Sequence, residues 1–187
     1  MLTFIGTLSG IYKMKQLSLL VLLTIVFSCK HQNRYMEQHI ADFKIIGISI
    51  ESTNENEKSI EDMGQLWGQF YADDISKKIP NKESDEIYSI FTDYESDYTG
   101  KYTAIIGQKV TSLEEIPNGL VGREFKGGKY VKLVAKGKMP DAIIEVWKRV
   151  WKEDKKLKRR YTADFEVYSA KSQNEVDSEV DVFIATK

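Results

Sequence analysis

Alternation of apolar and polar positions marks several segments of the chain as β-strands. The segment 42–52, DFKIIGISIES, alternates and is rich in β-branched residues, which is typical of a strand. Segments 85–94 and 101–111 show the same pattern, and the polar link between them ends at Gly100. A short extended segment then leads to a turn at Gly127-Gly128. The pattern predicts three further strands, at 129–136, 162–168 and 178–186.

Two other segments have apolar residues at helical spacing instead. The segment 54–75 carries acidic residues near its start, and the segment 139–154 carries Pro140 in its first turn, so both have features of helix N-termini. The apolar stripes consist of Ile60, Met63, Leu66, Trp67 and Phe70 in the first helix and of Ile143, Val146, Trp147 and Val150 in the second.

The order of these elements is β-α-β-β, and it occurs twice. Two such units suggest an architecture that was duplicated within the chain. The predicted fold class is therefore α+β: two pseudo-symmetric units form one antiparallel sheet with both helices on one face. The opposite face is then expected to curve around a ligand cleft.

The N-terminal part has the pattern of an export signal. Met14-Lys15 is followed by an apolar run of about a dozen residues, shorter than the roughly 20 needed to span a bilayer. We interpret 1–28 as a signal peptide and the polar segment 29–41 as a tether, with the domain at 42–187. Cys29, the only cysteine, ends the lipobox-like sequence IVFSC, which predicts a lipid-anchored protein of the bacterial cell envelope. The alternative is a chance cysteine beside an ordinary cleavage site.

Several chemistries find no support in the sequence. The only histidines, His31 and His39, lie in the predicted tether, so no Ser-His-Asp device or Cys/His metal site can be assembled in the domain. Phosphate-binding glycine motifs are absent, and no cofactor is predicted. The formal net charge of −1 provides no overall positive field that would attract nucleic acid. We therefore do not expect nucleic acid as a partner. The basic run 148–160 fits either an anionic partner or a solvated helix end.

Three stretches taken in order resemble a known family. They are the segment 66–110, the segment 127–137 (GGKYVKLVAKG), and the segment 163–168 (ADFEVY), which precedes the strand DVFIA. These stretches are similar to the GyrI-like effector-binding domains of AraC-type and multidrug-sensing regulators. The likeness covers 42–187. It implies two β-α-β-β units, an aromatic ligand cleft between them, and a buried glutamate at the FEVY position that contacts cationic aromatic ligands in some members. The regulators' helix-turn-helix domain has no counterpart before residue 42.

The candidate site centres on Glu166, which shares a strand face with Tyr168. If the helices cover the Phe165/Val167 face, Glu166 points into the cleft; the alternative is a solvated glutamate. Tyrosine suits a pocket because it offers a ring face and a hydroxyl, whereas aromatic residues at helical spacing more often belong to a core. The candidate ligand-binding residues are Glu166, Tyr168, Tyr94, Tyr88, Tyr102, Tyr130, Trp67 and Trp147.

Two functions of different class follow. The first is a lipoprotein that captures an amphipathic, cationic aromatic molecule, with Glu166 fixing its charge. The second is a hydrolase of reactive electrophiles in which Glu166 acts as general base on water, which requires a pKa raised by apolar surroundings. A module whose cleft receives a partner's loop is a third possibility. The sequence names neither the ligand nor the oligomeric state.

Overall fold

The computed structural model describes residues 35–174 and 176–187. The predicted leader at 1–28 and Cys29 lie outside the described residues. Within these described residues, eight strands form one antiparallel sheet, and helices complete the α+β fold that the sequence predicts. The strands are β1 (Met36–Ile40), β2 (Phe43–Thr53), β3 (Ile87–Thr92), β4 (Lys101–Val110), β5 (Val121–Phe125), β6 (Gly128–Gly137), β7 (Ala163–Tyr168) and β8 (Ser178–Ala185).

In the same part of the chain, two longer α-helices and two short ones accompany the sheet. The helix α1 (Lys58–Ala72) follows a 3-10 turn at Glu55–Glu57, and α2 (Ile75–Lys78) comes directly after it. The helix α3 (Asp141–Lys152) continues into the single turn of α4 (Asp154–Leu157). Both long helices match the segments predicted from apolar spacing. In the described part of the chain, no helix has the length and apolar character needed to cross a membrane.

The order of the strands shows the predicted duplication. The sheet runs β1-β6-β8-β7-β3-β4-β2-β5, so β6-α3-β7-β8 repeats the arrangement of β2-α1-β3-β4. The two units meet where β3 pairs with β7 at the centre of the sheet. The outer strands are exchanged: β1 precedes β2 but pairs with β6, and β5 precedes β6 but pairs with β2.

One predicted boundary is wrong. Residues 36–40, assigned to the tether, form the edge strand β1, and the sheet therefore begins before residue 42. The side chains of this strand are largely exposed, so they show no apolar alternation. Its backbone pairs with β6 all the same, because strand pairing requires N–H and C=O groups rather than buried side chains.

A second expectation, that the helices cover the Phe165/Val167 face of the sheet, is wrong. Phe165 and Val167 belong to a largely aromatic core on one face of the sheet, where Phe165 lies 5.4 Å between ring centres from Phe43, three strands away in the sheet. The helices cover the opposite face, the one that carries Glu166. There α1 packs on β2 and β4, and α3 packs on β6 and β8. The central strands β3 and β7 remain between the two helices.

Candidate functional site

A cleft of about 350 Å³ lies between α1 and α3, above the central strands. This volume is in the range of small-molecule sites. Cleft and helices thus share one face of the sheet, whereas the sequence analysis placed them on opposite faces. The reason is that each helix covers the outer strands of its own unit and leaves the seam between the units uncovered.

Each helix presents two kinds of apolar residue. In α1, Leu66 and Phe70 are buried against the sheet, while Met63 and Trp67, on the flank, line the cleft. In α3, Ile143 and Val150 are buried, and Trp147 projects over the central strands. The apolar stripe of each helix is therefore wide enough to serve both the core and the cleft.

Glu166 lies on the cleft floor and is only 4% exposed. Its Oε1 accepts a hydrogen bond from Trp147 Nε1 at 2.6 Å, and its Oε2 accepts one from the Tyr168 hydroxyl at 2.8 Å. Among the described residues, no lysine, arginine or histidine forms an ion pair with it. Burial raises the pKa of Glu166 above its usual value, although the hydrogen bonds from Trp147 and Tyr168 oppose this shift.

Tyr168 and Trp147 are themselves held by aromatic neighbours. The ring of Tyr168 packs edge-on against Trp67 at 4.8 Å, and Trp147 packs edge-on against Phe91 at 5.0 Å. Burial and the Glu166 carboxylate raise the pKa of Tyr168 well above its usual range, so its hydroxyl remains a donor. The carboxylate is thus fixed by one donor from α3 and one from its own strand, β7.

Arg159, like Tyr94, is among the residues that line the cleft. Its Nη2 donates to Asp164 Oδ2 at 2.6 Å, and both side chains are fully buried. Asp164 also accepts hydrogen bonds from the Tyr94 hydroxyl and from the backbone N–H of Ala185. The guanidinium group stacks over Tyr161, with 4.4 Å from its central carbon to the ring centre.

Six of the eight predicted ligand-binding residues come together in this cleft: Glu166, Tyr168, Tyr94, Tyr102, Trp67 and Trp147. Tyr94 reaches the cleft because Asp93 adopts a left-handed conformation, with φ of 51°, directly after β3 and so interrupts the alternation.

Tyr88 and Tyr130 lie elsewhere. Both belong to the aromatic core on the other face of the sheet, where Tyr88 and Tyr130 pack 6.0 Å and 5.3 Å from Phe165. Tyr88 and Tyr94 both have even numbers on the predicted strand 85–94, so unbroken alternation would place them on one face. The alternation ends at Thr92, however, and the shared parity therefore does not imply a shared face.

Sequence reasoning missed several residues of the cleft wall. Trp151 lies one turn after Trp147 on α3 and stacks on Tyr98 at 5.9 Å, and both rings line the cleft. The spacing of four residues between the two tryptophans was the available signal. Phe91 and Arg159 had no such signal, since an apolar strand residue and one arginine in a basic run are each common.

Comparisons with known proteins agree with this architecture. The model of the family Cass2, integron-associated effector binding protein, matches residues 38–186. The YobU protein of Bacillus subtilis (strain 168) is 25% identical over 152 residues, which cover 80% of this chain and 95% of YobU.

Two solved structures share the fold. An integron cassette protein of Vibrio cholerae superposes with a TM-score of 0.65 at 29% identity, covering 81% of this chain and 95% of that one. SAV2435, solved bound to tetraphenylphosphonium, superposes with a TM-score of 0.69 at 17% identity, covering 82% and 94%. The predicted effector-binding fold is confirmed.

In the described part of the chain, no group of three or more His, Cys, Asp or Glu side chains is arranged to hold a metal ion. The polar residues that line the cleft are instead Glu57, Glu166, Arg159, Lys148, Asn54, Ser59 and several tyrosines. Such a set can bind an organic molecule through aromatic contacts and a small number of directed polar contacts.

Proposed function

Because this chain belongs to the Cass2 family of integron-associated effector binding proteins, we propose that it captures a small aromatic cation in the cleft between α1 and α3. The aromatic walls supply most of the contact area. Glu166 on the floor supplies the negative charge that selects a cation over a neutral compound of equal size.

The observation that carries this proposal is the state of the Glu166 carboxylate. It is buried, receives two hydrogen bonds from neutral donors and has no positively charged partner among the described residues. A buried carboxylate without a counter-ion is costly, and a cation bound beside it would offset this cost. Desolvated cation–π contacts, worth about 2 kcal/mol, add to the attraction in a cleft lined by three tryptophans.

Tetraphenylphosphonium, the ligand in the SAV2435 structure, is a compound of the proposed type and a suitable probe. Its binding can be followed by the fluorescence of the tryptophans in the cleft, with triphenylphosphine oxide as a neutral aromatic analogue. In Glu166→Gln, we expect affinity for the cation to fall about tenfold, equivalent to about 1.4 kcal/mol. Affinity for the neutral analogue should change little, because the aromatic walls remain.

Glu57→Gln is the matched control. Glu57 also lines the cleft but is exposed to solvent, where its charge is screened, so the substitution should leave both affinities nearly unchanged. An equal loss for cation and neutral compound in Glu166→Gln would show that the substitution only deforms the cleft. Unchanged affinity for both would remove Glu166 from the binding site.

Hydrolysis is the second candidate function, and one observation favours it. Burial raises the pKa of Glu166, which is the direction that a general base working near neutral pH requires. The test is turnover of a reactive aromatic electrophile by the protein and by Glu166→Gln. Turnover that disappears in the variant while binding of the neutral analogue persists would establish the enzyme. Absence of turnover in the native protein leaves capture as the function.

We further propose that the domain acts at a membrane surface of the cell envelope, held by a lipid on Cys29. The lipobox-like sequence supports this proposal. Labelled palmitate should enter the full-length protein in cells, and Cys29→Ser should abolish the incorporation. Label retained by the variant would contradict the lipid anchor without bearing on the ligand.

A further inference from the structure

Gly64 is a glycine in the interior of α1 that the helix itself does not require. It does not have a positive φ, so its backbone conformation is open to any residue. A Cβ atom at this position would meet no heavy atom of the described chain within 4 Å outside its own stretch of helix. Glycine in a helix interior costs stability relative to alanine. Neither packing nor backbone geometry therefore accounts for the missing side chain.

The open space beside Gly64 belongs to the cleft. Gly64 lines it together with Ile60, one turn earlier, and Trp67, one turn later. Residues three or four positions apart are neighbours on one face of a helix. The wall of α1 is therefore bare backbone at Gly64, with a larger apolar side chain on either side. We call this part of the wall the Gly64 recess.

The surroundings of the recess are apolar and adjoin the Glu166 floor. Ile60 is 57% exposed although it lines the cleft, so a ligand in the recess would cover apolar surface that now meets solvent. Trp67 bounds the recess and also packs against Tyr168, the residue that donates a hydrogen bond to Glu166. The recess and the floor thus share one wall residue.

We propose that Gly64 is a specificity-determining residue, and that the Gly64 recess receives a bulky apolar group, such as a second aromatic ring, of the captured cation. The inference rests on the proposed function, because it concerns the size of the cation that Glu166 attracts. A ring can approach a helix backbone closely only where no Cβ intervenes. The missing side chain therefore admits cations with several rings, which any larger residue at this position would exclude.

Gly64→Leu tests the proposal on the full-length protein with two cations. Tetraphenylphosphonium has four rings, and trimethylphenylphosphonium carries methyl groups in place of three of them. Because the leucine side chain would fill the recess, we expect affinity for tetraphenylphosphonium to fall tenfold or more. Affinity for the single-ring cation should stay within about twofold. Calorimetric titration measures both, and an unchanged affinity for tetraphenylphosphonium, or an equal loss for both cations, would overturn the proposal.

Gly68→Leu is the matched control. Gly68 lies one turn further along α1, is exposed, and would likewise give a Cβ no heavy atom within 4 Å, but it does not line the cleft. Both substitutions replace a helix glycine by a good helix former, so both should stabilise the protein. Only Gly64→Leu should change the affinity for tetraphenylphosphonium. The same loss in Gly68→Leu would show that a general change in α1 causes it and would contradict the role of Gly64.

Gly64→Ala provides a second variant in case leucine at this position prevents folding. Its single methyl group takes up part of the recess, so affinity for tetraphenylphosphonium should fall by a smaller factor, again without a loss for the single-ring cation. Tetraphenylphosphonium binding that is unchanged in a folded Gly64→Ala protein, when Gly64→Leu does not fold, would count against the recess.

Glu166→Gln separates this proposal from the general function, because it should weaken both cations by the same factor. If Glu166→Gln weakens both and Gly64→Leu weakens neither, the recess is wrong and cation capture stands. If Gly64→Leu weakens only the larger cation while Glu166→Gln weakens neither, the recess stands and the role of Glu166 is wrong. If the native protein binds neither cation, both proposals fail.

Discussion

At the scale of single residues, the central feature is the Glu166 carboxylate, which is buried and has no ion-pair partner among the described residues. Trp147 and Tyr168 each donate one hydrogen bond to Glu166, which stabilises its charged form. Burial acts in the opposite direction and has the larger effect, so the pKa of Glu166 is raised. The folded protein therefore holds the Glu166 proton more tightly than the unfolded chain does.

This difference predicts how stability depends on pH. Because the folded pKa exceeds the unfolded value near 4.5, protonation of Glu166 favours the folded state. The wild-type protein should be most stable relative to Glu166→Gln at pH 4.5 and below. It should lose that advantage as pH rises through the folded pKa. Urea unfolding of both proteins from pH 4 to 8 measures the difference, and parallel stability curves would contradict the prediction.

The same ionisation should govern ligand capture. Tetraphenylphosphonium keeps its charge at every pH, so any pH dependence of its binding reports on the protein. Affinity should increase as pH rises above 4.5 and level off once Glu166 is ionised. In Glu166→Gln this increase should be absent.

The sequence allowed part of this site to be predicted at the residue scale. Strict alternation through β7 placed Glu166 and Tyr168 together, and the structure agrees. The prediction that Tyr88 lines the cleft was wrong because the alternation does not continue past Asp93, whose backbone conformation a single sequence does not reveal. Arg159 was missed because its burial depends on Asp164 and Tyr161, and contacts of this kind are set by the fold.

At the scale of elements, α3 both packs on the sheet and positions a hydrogen-bond donor beside Glu166. One side of this helix is buried on β6 and β8 through Ile143 and Val150. Its flank carries Trp147 to Glu166, so the position of the helix sets one of the two hydrogen bonds to the carboxylate. A change in α3 is therefore expected to alter the pKa of Glu166 as well as the shape of the cleft.

Trp147→Phe tests this connection. The phenyl ring can keep the contact with Phe91, but the N–H donor is lost. A hydrogen bond to a charged group is worth about 1.5–3 kcal/mol, and one pH unit corresponds to about 1.4 kcal/mol. The pH midpoint of tetraphenylphosphonium binding should therefore rise by about one unit or more.

Trp151→Phe serves as the control for this prediction. Trp151 lies on the same helix and lines the same cleft, but it stacks on Tyr98 rather than contacting the floor. Its substitution should weaken binding moderately without moving the pH midpoint. Equal midpoint shifts in both variants would show that the shift arises from general loosening of the cleft.

Elements were the scale at which sequence patterns worked best. Periodicity located α1, α3 and the strands of both units, because each of these has an apolar stripe or face to bury. The edge strand β1 was missed because its side chains are exposed and carry no such pattern. Which face the helices cover could not be predicted either, because the helices pack on the outer strands, while the apolar Phe165/Val167 face of β7 is buried in a core without helices.

At the scale of the whole molecule, the link between β1 and β2 passes close to the link between β5 and β6. Gly127, between β5 and β6, lies against the link between β1 and β2, and its N–H donates to Asp42 Oδ1 at 2.9 Å. A Cβ atom at Gly127 would lie 2.0 Å from the backbone oxygen of Ile40. Only glycine fits at this crossing without displacing the backbone of the other link.

Gly127→Ala should therefore lower the free energy of unfolding by about 2 kcal/mol or more. Gly68→Ala is the matched control, because a Cβ there would meet no heavy atom within 4 Å and the position is exposed on α1. That change should raise the free energy of unfolding by about 0.5–1 kcal/mol through helix propensity. Urea denaturation compares the two, and a neutral Gly127→Ala would contradict the close crossing.

The exchange of outer strands has a consequence for cooperativity. Each unit completes its part of the sheet with a strand that precedes the other unit in the chain. The exchanged strands tie an end of each unit to the sheet of the other, and β3 pairs with β7 between the two units. A chain with two repeats could ordinarily unfold in two steps, but because of these links we expect the two repeats to unfold together. The cleft at their seam therefore persists until the entire sheet gives way.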